Sequence, residues 1–305
     1  MMAADRTPGW NGELRYDEPM AAHCSWRTGG SARYFYTPVD VDDLCAFLAE
    51  LDADEPLLWL GLGSNLLVRD GGFPGTAIAT FGALSMTEWL AGDILRAGSG
   101  VTCSKVARMT AKAGFTGLEF LAGIPGTVGG ALAMNAGAFG GDTWSRVVAV
   151  ETVDRQGVLH NRHPAGYRIG YRNVQGPANE WFVAAHFQPG QGDVQAAQEH
   201  IRELLARRNT TQPTQQYSCG SVFRNPPGDH AARLIESAGL KGATVGGAQV
   251  SEKHANFIIN TGAASAADIE RLINQVQGVV EQQYSIRLEP EVRLVGDHPA
   301  GSDHE

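Results

Sequence analysis

The stretch GIPGTVGGALAMNAGAFGG, residues 123 to 141, is the densest glycine region of the chain. Glycine loses more backbone freedom on folding than any other residue and brings no side chain to a core, so such a cluster weakens an ordinary helix or strand. It is useful where the backbone must come close to something else. Here the glycines flank one amide residue, Asn135. A second glycine loop lies upstream in LLWLGLGSNLLV, residues 57 to 68. There an apolar run enters Gly61-Leu62-Gly63-Ser64-Asn65 and then resumes, which reads as strand, turn, strand. Two such loops suggest a large ligand threaded between backbone segments.

In the upstream loop, successive backbone N–H groups can point at an anion, and Ser64 and Asn65 add side-chain donors, as in a phosphate cradle. The pattern is not the dinucleotide fingerprint, because Leu66 stands where a third glycine is required. It is not a P-loop either, since no G-K-[ST] follows. Taken alone, the loop reads as an ordinary glycine turn between strands.

Working outward, the 305 residues suffice for two domains, and the 43% apolar content allows a real core. No apolar stretch approaches the roughly 20 residues of a membrane helix, so no membrane insertion is expected. The polar, acidic N-terminus lacks the apolar segment of a secretory signal. Cys24, Cys45, Cys103 and Cys219 are widely spaced, with no C-x-x-C pair. Neither a disulfide framework nor a metal site is expected, and a cytoplasmic location fits. The net charge of −9 disfavours nucleic-acid binding. A small anionic ligand fits only where arginines gather, as at Arg207 and Arg208.

A helix is expected over 103–112, stopped by Gly114, with strands at 147–153 and 181–187. The composition turns polar near residue 195. The reading is an N-terminal domain over 1–195, in two parts of about 20–80 and 81–195, and a C-terminal domain over 196–305. The latter begins with a short amphipathic helix around Ile201, Leu204 and Leu205. Asp229 is read as capping a helix that ends at Gly239. Ser265 and Asp268 form a capping box for a longer helix with the face Ile269, Leu272, Ile273, Val276 and Val280. HANFIIN (254–260) and IRLEPEVRLV (286–295) read as strands. Helices and strands alternate without a strict βαβ rhythm, so the fold class is α+β.

The two glycine motifs together, G-x-G-S-N-x-L and G-I-P-G-x-V-G-G-x-x-x-M-N-A-G-A, resemble the flavin-binding region of the UDP-N-acetylenolpyruvoylglucosamine reductases. The similarity extends from about Trp26 to Gly296, in the compact form lacking the longer C-terminal insertions. The resemblance implies an FAD domain of the vanillyl-alcohol-oxidase type followed by a smaller α+β substrate domain. It implies FAD held with its pyrophosphate on Gly61, Leu62, Gly63, Ser64, Asn65 and Leu66. The flavin ring would lie near Gly123, Ile124, Pro125, Gly126, Gly129 and Gly130, with Asn135 also in contact. Ser31 in R-T-G-G-S stands where related oxidases carry a flavin-linking histidine, so the FAD is expected to be non-covalent.

The implied reaction reduces UDP-GlcNAc-enolpyruvate to UDP-MurNAc with NADPH, by hydride from flavin N5 and a proton from the protein, in a monomer. The stretch YSCGSVFRNP (217–226) holds the motif S-C-G-S-V-F, whose family match makes Ser221 the proton donor and leaves Cys219 as a small neighbour. Read without the family, it is a buried small-residue strand end. Arg172, in Tyr171-Arg172-Asn173, matches a motif that grips a carboxylate, although Val174 replaces its usual serine. Arg168 competes for that role, but the flanking Tyr and Asn of the motif match only at Arg172. Glu291 in L-E-P-E-V-R matches the third catalytic residue, and Glu289 is the decoy. Strand alternation would put Glu289, Glu291 and Arg293 on one face. Tyr171, Arg224 and Asn225 are the candidate substrate contacts. A flavin oxidase and a catalytically inactive FAD scaffold are the rival readings.

Overall fold

The computed structural model describes residues 9–299. The first eight residues, part of the stretch read as lacking a leader, lie outside the described residues. The chain divides into two compact units, one of residues 1–15, 34–61 and 75–204, the other of 16–33, 62–74 and 205–305. The chain passes from one to the other inside a helix, at residues 204 and 205, and the second unit also takes two N-terminal segments.

In the first unit an antiparallel sheet runs in the order Leu159–Arg162, Val147–Asp154, Glu180–Phe187, Ile94–Gly98, Thr87–Leu90. Its central strands are rich in valine, alanine and aromatics, residues that suit a pleated, half-buried surface. The helix Cys103–Lys112 matches its expected bounds. The Thr102 hydroxyl accepts from the N–H of Lys105 at its start, and Gly114 (φ +83°) ends it in the left-handed region. Leu57–Leu60 pairs in parallel with Thr76–Ala79 before the chain enters the glycine loop.

The second unit is built around the helix Ala266–Tyr284. Both bonds of the Ser265–Asp268 capping box are present. Asp70 adds a remote cap, its carboxylate oxygens accepting from the N–H groups of Ala266 (3.0 Å) and Ala267 (2.9 Å). Ile269, Leu272, Ile273, Val276 and Val280 are buried as the 3.6-residue period requires, against Trp26, Leu67, Leu234 and Ile235. Thr244–Val245, Ala248–Val250 and Ile258–Asn260 form a small antiparallel sheet. Leu66–Val68 pairs in parallel with Arg293–Val295.

Four elements differ from the sequence reading; the first is the strand expected over 254–260, which contracts to Ile258–Asn260 after a turn at 255–256. The helix expected to be short spans Val194–Thr211. Its N-terminal part is rich in alanine, glutamine and glutamate and its C-terminal part carries two arginines, all good helix formers, and the Asp193 carboxylate accepts from the N–H of Ala196 (2.8 Å) at its start. The strand expected over 286–295 contracts to Arg293–Val295, with a lone bridge between Pro290 and Phe223. Proline cannot donate to a ladder, and the N–H groups of Glu291 and Val292 crowd onto the one carbonyl of Val222. Asp229 is not the cap of the helix Ala231–Ser237; the Asn225 side chain accepts from the N–H of Ala231 (3.1 Å).

Ser265→Ala should cost about 1 kcal/mol, the usual loss for an N-cap. It should appear as a lower urea midpoint with an unchanged denaturant slope.

Candidate active site

In the second unit, Ser221 leads a segment gripped from two sides. The buried Asn256 side chain accepts from the N–H of Phe223 (2.9 Å) and donates to its carbonyl (2.8 Å). The N–H of Val222 donates to the backbone oxygen of Asn256 (2.9 Å). Opposite, the N–H of Glu291 donates to the carbonyl of Val222 (2.7 Å), and that of Arg224 to the carbonyl of Glu289 (2.9 Å). Val222 and Phe223 are buried while Ser221 is half-buried.

The next layer is the glycine loop. The Asn65 side-chain amide donates to the Glu291 backbone oxygen (3.0 Å), and the Asn65 carbonyl accepts from the N–H of Arg293 (3.1 Å). Backbone contacts therefore run in order from Asn256 through 222–224 and 289–293 to Asn65, which brings Ser221 and Glu291 onto adjacent segments. Cys219, 3% exposed, donates its thiol to the carbonyls of Leu66 (3.4 Å) and Gly63 (3.6 Å). Burial pushes that thiol up to about 12, so it stays protonated and acts as a fastening. Arg224 lies 3.7 Å from Glu289, and its buried Nε has no partner among the described residues.

In the first unit the glycine-rich stretch folds as the helix Val128–Met134, ended by Asn135 in the left-handed conformation (φ 45°). The Asn135 side chain donates to the carbonyl of Gly170 (3.2 Å) and accepts from the N–H of Trp144 (3.1 Å). Arg168–Gly170 and Asn173–Gln175 form a hairpin whose turn is Tyr171-Arg172. Arg172 also has positive φ (51°), a conformation that costs a non-glycine residue about 1–2 kcal/mol. Its guanidinium donates to the carbonyls of Gly137 (2.9 Å) and Asn135 (3.3 Å). Its carbon lies 5.3 Å from the centre of the Tyr171 ring. The competitor Arg168 is exposed on the first hairpin strand. The turn thus aims Arg172, and not Arg168, at the glycine segment.

Both glycine loops offer what a large anionic ligand needs. Among the described residues, no acceptor takes the N–H groups of Leu62, Gly63 or Ser64. The Ser99 hydroxyl is fully buried without a partner there, while the Ser99 carbonyl accepts from the N–H of Gly129 (2.9 Å). A side chain at Gly130 would meet only the Thr127 hydroxyl, at 3.8 Å, so that backbone is open to a ligand. Gly63 is different. It has φ +60°, and a Cβ there would strike the carbonyl of His23, so its lack of a side chain serves the fold itself.

Comparison with known proteins supplies the class of ligand. Residues 32–162 match the FAD binding domain family, and residues 212–295 match the UDP-N-acetylenolpyruvoylglucosamine reductase C-terminal domain. The UDP-N-acetylenolpyruvoylglucosamine reductase of Alkalilimnicola ehrlichii is 59% identical over 97% of this chain and 99% of its own. That of Methylococcus capsulatus is 58% identical over 93% of each. The chain belongs to the UDP-N-acetylenolpyruvoylglucosamine reductase family. The crystal structure of the reductase from Thermus caldophilus superposes with a TM-score of 0.81 at 31% identity, over 94% of this chain and 99% of that one. The reductase is thus an FAD oxidoreductase with an α+β fold. The unengaged N–H groups at 62–64 and the Ser99 hydroxyl suit that cofactor. Among the described residues no helix is long and apolar enough to cross a membrane.

Sequence reasoning missed Asn256 and Ser99. Asn256 was detectable as an amide inside the apolar run HANFIIN, a residue that must find partners when buried. Ser99 had no such signal.

Two outcomes are expected. Iodoacetamide applied to the native enzyme at pH 8 should leave Cys219 unlabelled until denaturant is added, as read by peptide mass spectrometry, because the thiolate is the reactive form. Arg172→Gly should match or exceed the wild type in thermal stability while Arg172→Ala falls below it. The left-handed position costs a non-glycine residue about 1–2 kcal/mol. Equal melting temperatures for the two variants would remove the strain from the account.

Proposed function

We propose that this reductase converts UDP-GlcNAc-enolpyruvate to UDP-MurNAc with electrons from NADPH, as a cytoplasmic step of peptidoglycan precursor synthesis carried out by a monomer. Bound FAD supplies the two-electron transfer from the nicotinamide to the β-carbon of the enolpyruvyl group. The protein contributes the binding of FAD, the handling of charge on the substrate, and a proton. Gly61 to Leu66 hold the pyrophosphate, with main-chain N–H groups as donors, and the residues from Gly123 to Gly130, with Asn135, line the ring.

Hydride addition to the β-carbon moves an electron pair onto the α-carbon and the adjacent carboxylate. The Ser221 hydroxyl gives its proton to the α-carbon, and solvent restores it. Arg172 holds the carboxylate and offsets the growing charge. Glu291 acts beside Ser221 on the same charge and proton. Tyr171, Arg224 and Asn225 contact the nucleotide sugar. The observation that carries this reading is the pairing of the Ser221 and Glu291 segments through Val222. Two weakly acidic groups that must act on one carbon need such a shared frame. The shielded thiol of Cys219 argues in the same direction, since a proton donor must reach the substrate.

Stopped-flow kinetics separate the half-reactions. In Ser221→Ala, Arg172→Ala and Glu291→Gln, flavin reduction by NADPH should stay near normal. Anaerobic reoxidation by the enolpyruvyl substrate should slow by at least about a hundredfold. Ser221→Cys should recover part of the rate, and Cys219→Ala should reoxidise like the wild type. Fast reoxidation in Ser221→Ala would reject the serine as donor. A larger loss in Arg168→Ala than in Arg172→Ala would move the carboxylate grip to Arg168.

A further inference from the structure

Asn65 belongs to the glycine loop that offers N–H groups to an anion, yet its side-chain amide is committed elsewhere. Its Nδ2 donates to the backbone oxygen of Glu291 at 3.0 Å, across 226 residues of sequence. Its own carbonyl accepts from the N–H of Arg293 at 3.1 Å. Asn65 thus holds the chain on both sides of Val292.

The Glu291 segment needs such a hold. Pro290 has no N–H to give to a ladder. The N–H groups of Glu291 and Val292 both reach the carbonyl of Val222, at 2.7 and 3.4 Å, so the pairing is irregular there. The peptide plane following Glu291 is held at its N–H by the long 3.4 Å bond of Val292 to that shared carbonyl, so the engagement of its own carbonyl weighs the more. The amide of Asn65 engages it. The same loop is fastened to the Ser221 side by the Cys219 thiol on the carbonyls of Gly63 and Leu66.

We propose that Asn65 is a positioning residue for Glu291, fixing the backbone from which that carboxyl departs, so that the loop carrying the N–H groups of Leu62, Gly63 and Ser64 also sets the geometry of proton delivery. The inference rests on the catalytic role of Glu291 proposed above. Removing the Asn65 amide leaves those main-chain donors in place. Its effect on Glu291 is therefore read in FAD-saturated enzyme, on the substrate half-reaction.

The test uses FAD-saturated holoenzyme of the wild type, Asn65→Ala, Glu291→Gln and the double variant, reduced with NADPH and mixed anaerobically with UDP-GlcNAc-enolpyruvate. In Asn65→Ala, flavin reduction should proceed as in the wild type. The limiting reoxidation rate should fall by about tenfold to a hundredfold, the scale of a misplaced catalytic group, with little change in the half-saturating substrate concentration. The double variant should be no slower than Glu291→Gln, because residues that act through one another are not additive. Asn65→Gln, which keeps the amide, should recover part of the rate. Wild-type reoxidation in Asn65→Ala, or losses that multiply in the double variant, would overturn the proposal. If Asn65→Ala does not retain flavin, Asn65→Ser is compared in the same way, and loss of flavin from both marks the side chain as a cofactor ligand and rejects the positioning role. Failure of the underlying reading is visible separately, as wild-type reoxidation in Glu291→Gln alone.

Discussion

The side-chain amide of Asn256 closes two hydrogen bonds on the backbone of Phe223, and the Ser221 segment depends on that clamp. A buried backbone N–H and carbonyl with no ladder partner each cost about 1–3 kcal/mol. Among the described residues the chain around Phe223 makes a single bridge, to Pro290, so a regular sheet does not provide the partners. One amide, which can donate and accept at once, supplies both. The opposite edge of the segment is then free to take the N–H of Glu291. The half-buried serine is set on a rigid backbone without a long strand on either side.

The same economy recurs through the second unit. Trp26 is fully buried, donates its indole N–H to the carbonyl of Ile258 (2.8 Å), and accepts from the side chain of Asn260 at its own carbonyl (2.8 Å). Arg69 makes a forked pair with Glu270 and donates to the carbonyl of Gly296 (3.0 Å). Asp70 caps the long helix. Each of these side chains ties an N-terminal segment of the unit to its C-terminal part. The loop before Leu66 thus leads into a strand, Leu66–Val68, that is paired with Arg293–Val295 and anchored to this core. Rigid support of this kind lets a site bind a charged cofactor without paying for loop ordering at each turnover.

In the first unit the constraint is conformational. Asn135 and Arg172 both occupy the left-handed region, and each uses its side chain to hold the other's segment. Asn135 donates to Gly170, and Arg172 donates to Asn135 and Gly137. The strained turn therefore fixes a guanidinium against the glycine-rich backbone. A flexible surface arginine would have to be ordered by substrate; this one is ordered by the fold.

Much of this was legible in the linear chain. The glycine loops, the helix Cys103–Lys112, the capping box at Ser265 with its five-residue apolar face, and the central sheet strands follow from local propensity and periodicity, which neighbouring residues decide among themselves. The S-C-G-S-V-F, Y-R-N and L-E-P-E-V-R stretches stood out only through the family resemblance, which matches short motifs residue by residue. What the sequence left open was decided by partners distant along the chain. The Cys219 thiol is held by the carbonyls of Gly63 and Leu66, about 150 residues away. The Arg172 guanidinium donates to Asn135 and Gly137, more than 30 residues away, while Arg168 stays exposed. The Asn65 amide, which the sequence offered to a phosphate, donates instead to Glu291. The strand through Pro290 breaks because its partner supplies one carbonyl where a ladder needs two. Local composition sets what each segment can form, but the direction of a hydrogen-bonding side chain depends on which distant backbone group lies within about 3 Å of it, and only the folded chain determines that.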